Sequence, residues 1–272
     1  MMKRLLCVFV AAISLITPAL AYSQEKPARL TFDVATVRLS DPDPIRMLNG
    51  VPSGGRGGGI KALPGGNGYS AQNVSVKLMF ALMYKVPMRQ ISGGPEWMNA
   101  DRYDVEARVD GAYSLDDLHL MYQHLLADRF NLKFHIETKD GNVYALMLDT
   151  PGSKMKINTG PQDFKIPVTF GPEGAIGTRV PMPYLCWFLG QQLQNTNRPV
   201  IDLTGLDKNY DFTLSYLPEL PPDVSKDVLP PEVRDRPSLF DAVKQQLGLK
   251  LVPQKGPIDY YVIDHIDRPS DN

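Results

Sequence analysis

The sequence is poor in cysteine, with two in 272 residues. Cys7 lies in an apolar N-terminal run that we expect to be removed, which leaves Cys186 alone. A single cysteine excludes an internal disulfide bond and a zinc site built on several thiolates. Stability must therefore come from packed apolar surface, and a chain of this length can supply it in one or two cores.

An excess of charge of either sign is also missing. The chain has 29 basic and 30 acidic side chains, and loss of Lys3 and Arg4 would leave 27 basic against 30 acidic, a formal charge of −3. A nearly neutral chain has no electrostatic footprint for nucleic acid or for an anionic membrane surface. We therefore expect no nucleic-acid partner.

The usual motifs of catalytic and nucleotide-binding sites are absent. The sequence contains no H-E-x-x-H and no G-x-S-x-G, and its glycine-rich stretch lacks the Gly-Lys-Ser/Thr ending of a phosphate-binding loop. Cys186 lies between Leu185 and Leu189 on an apolar helical stripe, which indicates a core residue rather than a nucleophile. We predict no metal site and no cofactor. The histidines, which show no ligand spacing, are His119, His124, His135 and His265.

The first 21 residues are typical of a cleavable signal peptide. Lys3 and Arg4 precede an apolar run too short to span a membrane, and residues 19–21 have the small-x-small pattern that signal peptidase cuts. We expect the mature protein to begin at Tyr22 and to be periplasmic or extracellular. No later segment has the apolar length of a membrane span.

What the sequence does contain is an internal repeat. Tyr103-Asp104-Val105 resembles Tyr210-Asp211-Phe212, Ser114-Leu115-Asp116-Asp117 resembles Ser238-Leu239-Phe240-Asp241, and Leu132-Lys133-Phe134 resembles Leu249-Lys250-Leu251. Hydrophobic periodicity predicts an α+β fold of tandem duplicated units, each strand-helix-strand-strand-helix-strand-strand, with helices packed on small mixed sheets. The sequence leaves open whether the repeats form one domain or two.

The predicted boundaries follow from this repeat. They are 1–21 for the signal peptide, 22–68 for an N-terminal strand and glycine-rich loop, 69–150 for the first repeat, 151–267 for the second repeat with a proline-rich insertion at 217–237, and 268–272 for the tail. Residues 53–68 are expected to be a mobile surface loop. Asp140-Gly141-Asn142 is expected to be a turn between two strands that close the first unit.

Carboxylates are the remaining candidates for chemistry. They form two clusters, Asp101, Asp104 and Glu106 in the first repeat and Asp202, Asp207 and Asp211 in the second. Paired acids can divide general acid and base work when their surroundings separate their pKa values. However, Asp104 and Asp211 lie at matching places in the two repeats, which favours a hydrogen bond at a turn or strand end.

Two segments outside the repeat are candidate partner contacts. Trp97 ends the loop Ile91-Ser92-Gly93-Gly94-Pro95-Glu96-Trp97, where it could be a core residue or an anchor of an interface. The proline-rich insertion could be a linker with extended character or a docking segment for an aromatic-lined groove. Its candidate contacts are Pro221, Pro222, Pro230 and Pro231.

Several of these motifs together resemble a soil-bacterial family of secreted proteins of unknown function. The resemblance covers nearly the whole mature chain and rests on residues 32–38, 91–97, 125–133, 199–206, 210–214 and 262–266. It implies export, and it implies related domains fused to membrane-bound metallopeptidase sensors of the antibiotic-response type. Peptidase activity does not carry over, since H-E-x-x-H is absent. A looser similarity is to the short N-terminal domains of secretins and TonB-dependent receptors.

The functional expectation is an exported, non-catalytic binding or interaction module of the cell envelope, whose partner is an unidentified envelope protein or ligand. A first alternative is a secreted hydrolase that uses the carboxylates of the first cluster. A second is a sensor domain for small ligands.

Overall fold

The computed structural model describes residues 29–41, 47–48, 51–52, 59–161, 164–220 and 224–269. The predicted signal peptide, the C-terminal end of the predicted tail and residues 53–58 of the glycine-rich stretch lie outside these ranges. Among the residues described, no helix combines the length and the apolar character needed to cross a bilayer.

The first half of the chain builds an antiparallel sheet covered by helices. Its elements are β1 (Val34–Leu39), β2 (Met47–Leu48), β3 (Val51–Pro52), β4 (Gly59–Ala62), β5 (Gly68–Val74), α1 (Val76–Met83), a 3-10 turn (Met88–Gln90), β6 (Ile91–Gly93), α2 (Trp97–Ala100), β7 (Tyr103–Arg108), α3 (Leu115–Arg129) and β8 (Lys133–Leu148). The strand order of this sheet is β1-β7-β5-β4, and every neighbouring pair is antiparallel.

The second half builds a similar sheet. Its elements are β9 (Lys156–Ile157), β10 (Val168–Gly171), β11 (Gly174–Pro181), α4 (Met182–Gln192), a 3-10 turn (Gln194–Thr196), β12 (Val200–Asp202), β13 (Asn209–Leu214), a 3-10 turn (Lys226–Val228), α5 (Pro231–Arg234), α6 (Leu239–Ala242), which continues as a π-helical turn (Val243–Leu247), and β14 (Leu249–His265). The strand order is β10-β11-β13-β9, and all pairs are antiparallel.

A third sheet, of mixed direction, joins the two halves. Its strand order is β12-β8-β14-β6, with β8 and β14 antiparallel and the two short edge strands parallel to their neighbours. Each edge strand pairs with the long strand of the opposite half, since β6 pairs with β14 and β12 pairs with β8. The α+β class is therefore confirmed, although among the sheets of the described residues only the central one is mixed.

The predicted turn at Asp140-Gly141-Asn142 is wrong. These residues lie inside β8, a continuous strand of 16 residues, and the second unit likewise ends in one strand of 17 residues. Gly141 pairs with Gly256 across the sheet, and a Cβ on Gly141 would lie 2.5 Å from Ile258 Cδ1. The glycine therefore makes room for a neighbouring side chain within a strand. This role, and not a turn, explains its presence here.

Two apolar cores lie at opposite ends of the long strands β8 and β14 of the central sheet. The apolar faces of α1 and α3 are buried in the first core, and the stripe of Leu185, Cys186 and Leu189 on α4 is buried in the second. Ser75, Ser114 and Ser238 cap their helices through Oγ, as their side-chain chemistry favours. Both long strands contribute to both cores: β14 places Leu249 in the second core and Ile263 in the first.

The glycine-rich stretch is also more ordered than expected within the described residues. β4 pairs with β5 as a hairpin, so residues 59–62 form an edge strand rather than a surface loop. Gly65 and Gly66 adopt positive φ at the turn of that hairpin. The composition indicated flexibility, whereas the glycines serve a tight turn.

Candidate functional site

Trp97 begins the short helix α2 and does not lie on an extended loop. Its half-buried ring packs against the first core, and the Arg268 guanidinium lies 5.1 Å from the ring centroid. Arg268 Nε also donates a hydrogen bond to Asp101 Oδ2 at 2.9 Å. Trp97 is thus covered on one face by an ion pair, and its part in partner binding stays a prediction.

The two ends of the proline-rich insertion lie next to each other in the second half of the chain. Leu217 N donates to Pro237 O at 2.8 Å, so the two ends of the insertion are in contact. The expected extended character is wrong for residues 226–228 and 231–234, because Ser225 caps a 3-10 turn and Pro231 occupies the first turn of α5, where its fixed φ suits a helix. Leu229, between them, is extended. Pro230 directly precedes α5, whereas Pro221 and Pro222 lie outside the described residues.

The carboxylates of the first cluster each bind a different structural partner. Asp101 binds Arg268, and Glu106 Oε1 accepts from Ser70 Oγ at 2.6 Å. In the second cluster, Asp202 Oδ1 accepts from the backbone N and the Oγ1 of Thr204, and Asp207 lies 3.3 Å from Lys208 Nζ. Each of these contacts holds a turn or a strand in place.

Asp104 and Asp211 perform the same structural task in the two halves. Asp104 Oδ1 accepts from Asn73 N at 2.9 Å, and Asp211 Oδ1 accepts from Arg179 N at 2.9 Å. Asn73 and Arg179 both have positive φ, and each lies where the ladder to the neighbouring strand shifts register. Each aspartate therefore supplies the acceptor that a β-bulge amide has lost.

The histidines occupy separate surroundings. His135 Nδ1 lies 2.7 Å from Asp264 Oδ1 on the exposed sheet, and hydrogen bonds to Asp264 and Glu137 raise the pKa of His135. Burial, helped by Lys85, lowers the pKa of His119 to about 4. In the part of the chain that the structure describes, no three His, Cys, Asp or Glu residues are grouped to hold a metal ion. Cys186 is buried in the second core, where burial raises the pKa of its thiol to about 12.

A cleft between α1 and α3 on one side and α4 on the other contains three adjoining spaces that share Lys85. Lys85 follows the C-terminal end of α1 with φ 56°, and its Nζ lies 2.8 Å from Asp116 Oδ1. The shared lysine lines spaces of about 50, 380 and 150 Å³. The cleft thus brings residues of both halves to one cationic side chain.

The largest space, called the groove here, is lined mainly by apolar and aromatic side chains. Its walls come from the segment after α1, from α4, from β12 and from β14, and they include Pro87, Pro183, Trp187, Ile201, Ile258 and Tyr261. Asp202 and Asp259 are the acids that line it, and Lys85 is the cation. An open, mostly apolar cavity with a few polar groups is the usual form of a binding site.

The second space, called the ring pocket here, adjoins the groove at Trp187. It is lined by Tyr69, Leu82, Leu115, His119, Tyr184 and Trp187, and by residues of β4. The His119 ring stacks on Tyr69 with centroids 5.9 Å apart, and burial raises the pKa of Tyr184 to about 12. His119 Nδ1 and Trp187 Nε1 are buried and have no hydrogen-bond partner among the residues that the structure describes.

Lys85, His119 and Trp187 were missed as candidate site residues from sequence alone. A signal did exist on α4, where Tyr184 and Trp187 are three residues apart and lie beside the apolar stripe of Leu185 and Leu189, although Tyr184 is also buried in the second core. Aromatic residues on a second face of a helix indicate a second packed surface. The position of Lys85 between the halves had no sequence signal, because it depends on how distant elements pack.

Comparison with known proteins gives a family but no characterised relative. The sequence profile of a family described as "Protein of unknown function (DUF3738)" matches residues 77–266. No curated protein and no solved structure matches the chain.

Proposed function

The chain belongs to the DUF3738 family of proteins of unknown function, and we propose that it is an exported, non-catalytic binding module of the cell envelope. The groove is the observation that carries this proposal. It is a cavity of about 380 Å³ with prolines and aromatic residues on its walls, which suits an extended apolar segment of a partner protein.

The non-catalytic part of the proposal is supported by the surroundings of the candidate acids. Asp101, Asp104 and Glu106 each accept from a different structural donor, and none lines the groove. No specific contact favours the alternative of a hydrolase built on these carboxylates. Mutation of each acid to its amide, followed by a screen for hydrolysis, would separate the two functions.

Export through a cleavable signal peptide is the second part of the proposal. It is supported by the basic start and the apolar run before residue 22, and by the resemblance to secreted soil-bacterial proteins with relatives fused to metallopeptidase sensors. The looser resemblance to the short domains of secretins and TonB-dependent receptors also favours an envelope partner. Intact mass of the natively expressed protein should correspond to a chain that starts near Tyr22. Retention of Met1 would contradict export by this route.

We also propose that the two halves derive from one duplicated unit. Several matching features support this: the same sheet order, the aspartate-supported bulges at Asn73 and Arg179, and helix caps in which Ser114 and Ser238 both accept from an aspartate amide. Superposition of 59–148 on 168–265 should place Tyr103 on Tyr210 and Leu132 on Leu249. A displacement of one strand register would contradict common descent of the units.

Partner capture from envelope extract tests the binding function and locates it. Pro183 is exposed in the first turn of α4 and lines the groove, so Pro183→Glu places a charge in the groove at a helix position that tolerates an acid. Pro231→Glu is the matched control in the first turn of α5, and Trp97→Ala tests the third surface. We expect loss of capture with Pro183→Glu alone. Loss only with Pro231→Glu or Trp97→Ala would move the site to the insertion or to α2, and no specific capture by the wild type would contradict the function.

A further inference from the structure

The ring pocket has the size of one aromatic ring. Its volume is about 150 Å³, and a dry apolar cavity of about 150 Å³ in another protein holds one benzene molecule. Leu82 and Leu115 form part of the wall, together with Tyr69 and Tyr184. Such walls favour an apolar ring over a polar or strongly branched group.

The charged residues that line the pocket carry one sign, although Lys85 is paired with Asp116 outside it. Of the described residues that line it, Lys61 and Lys85 are charged, and none is a carboxylate. Asp116, the partner of Lys85, lines the neighbouring space. A lysine ammonium has three N–H donors, so a second anion can accept from Lys85 beside Asp116. The electrostatic surroundings therefore suit a ligand with a negative group at the mouth of the pocket.

Two polar atoms of residues that line the pocket also favour a ligand with a hydrogen-bond acceptor. Trp187 Nε1 is a donor with no acceptor, and His119 Nδ1 is a donor in one of its neutral tautomers. Both nitrogens are buried, so a ligand oxygen would reach them only after a shift of the ring that carries them. It would then satisfy a donor whose burial is otherwise unfavourable.

We propose that the ring pocket binds a small aromatic carboxylate, with its ring between Tyr69, Leu82 and Trp187 and its carboxylate toward Lys85. This inference rests on the proposed binding function and names a ligand for the same cleft. The test of this ligand does not depend on any protein partner. Failure to bind the ligand would therefore not imply failure of partner capture, nor the reverse.

Phenylacetate is the probe, and Trp187 reports its binding. The chain has two tryptophans, so mature Trp97→Phe protein carries Trp187 alone. Titration with phenylacetate should give a saturable change in fluorescence and a rise in melting temperature. Phenylacetamide should bind more weakly, and benzylamine should not bind, because its charge has the same sign as Lys85.

Three variants define the site. Lys85→Gln should weaken phenylacetate roughly fivefold and leave phenylacetamide unchanged, since it removes one ion pair. Lys77→Gln, the charge-matched control on α1, should bind as the parent does. Ala62→Phe should abolish binding of both ligands by filling the pocket, because Ala62 lies on its wall.

Several results would overturn the proposal. One is the absence of a saturable signal with phenylacetate up to roughly 10 mM, a weak limit even for so small a ligand. The others are binding of benzylamine as tight as that of phenylacetate, and undiminished phenylacetate binding by Ala62→Phe.

Discussion

His119 makes the folded protein sensitive to acid, and the size of this effect follows from its burial. The pKa of this histidine is lowered from 6.5 to about 4, first by burial and then by Lys85. A shift of about 2.5 pH units corresponds to about 3 kcal/mol between the two protonation states. The unfolded chain binds a proton below pH 6.5 and the folded protein does so only near pH 4, so stability falls as the pH is lowered through this window.

The effect is measurable between pH 7 and pH 5. Over this range the His119 contribution to the free energy of unfolding should fall by about 2 kcal/mol. Urea unfolding of wild type and His119→Phe at both pH values isolates this contribution, because the carboxylates titrate alike in both proteins. The phenylalanine keeps an aromatic ring beside Tyr69 and binds no proton. We expect the wild type to lose about 2 kcal/mol more than the variant.

His135 provides a contrast of opposite sign. Its pKa is raised by hydrogen bonds to Asp264 and Glu137. A raised pKa contributes stability that is fully present below the unfolded value of 6.5 and is lost as the pH rises through the folded value. His135→Gln should therefore steepen the loss of stability on acidification, whereas His119→Phe should reduce it. Equal pH dependence in wild type and His119→Phe would refute the argument from burial.

Three further predictions concern features that recur in the two halves or distinguish them. Asp104→Ala and Asp211→Ala should each lower the free energy of unfolding by about 1–3 kcal/mol in urea melts, because each leaves a β-bulge amide without its acceptor; an effect in one half alone would contradict equivalent roles. Gly68→Ala and Gly174→Ala should each cost about 2 kcal/mol or more, since their Cβ atoms would lie 2.1 and 2.4 Å from backbone oxygens at positive φ; unchanged melting temperatures would show that the strands yield. Deletion of residues 221–231 should leave the circular dichroism and the melting temperature nearly unchanged, because the insertion begins and ends at one hydrogen bond; loss of folding would place the insertion in the core.

The helices were predictable because local patterns agree with their packing. Val76, Met79, Phe80 and Met83 are spaced for one helical face, and all four are buried on α1. The caps at Ser114 and Ser238 follow from side-chain chemistry within three residues. These features need no information from distant parts of the chain.

The long strands could not be predicted because their continuity depends on a distant partner. Asp140-Gly141-Asn142 has the composition of a turn, so the local sequence alone predicts a turn. In the folded protein Gly141 pairs with Gly256, more than a hundred residues later, and the ladder between β8 and β14 runs through both glycines. Tertiary pairing therefore overrides local preference at this point.

The cleft could not be predicted from the sequence either, because it forms between parts of the chain that are far apart in sequence. The way these parts are joined also affects how the cleft binds a ligand. Its walls come from both halves, yet the exchange of edge strands ties those halves together: β6 pairs with β14, and β12 pairs with β8. Ile263 of β14 is buried in the first core and Leu146 of β8 in the second, so separating the halves would expose apolar surface in both cores. A cleft held in this way is largely formed before a ligand arrives. Little ordering entropy is then lost on binding, which favours recognition of a small rigid ring over recognition by closure of two domains.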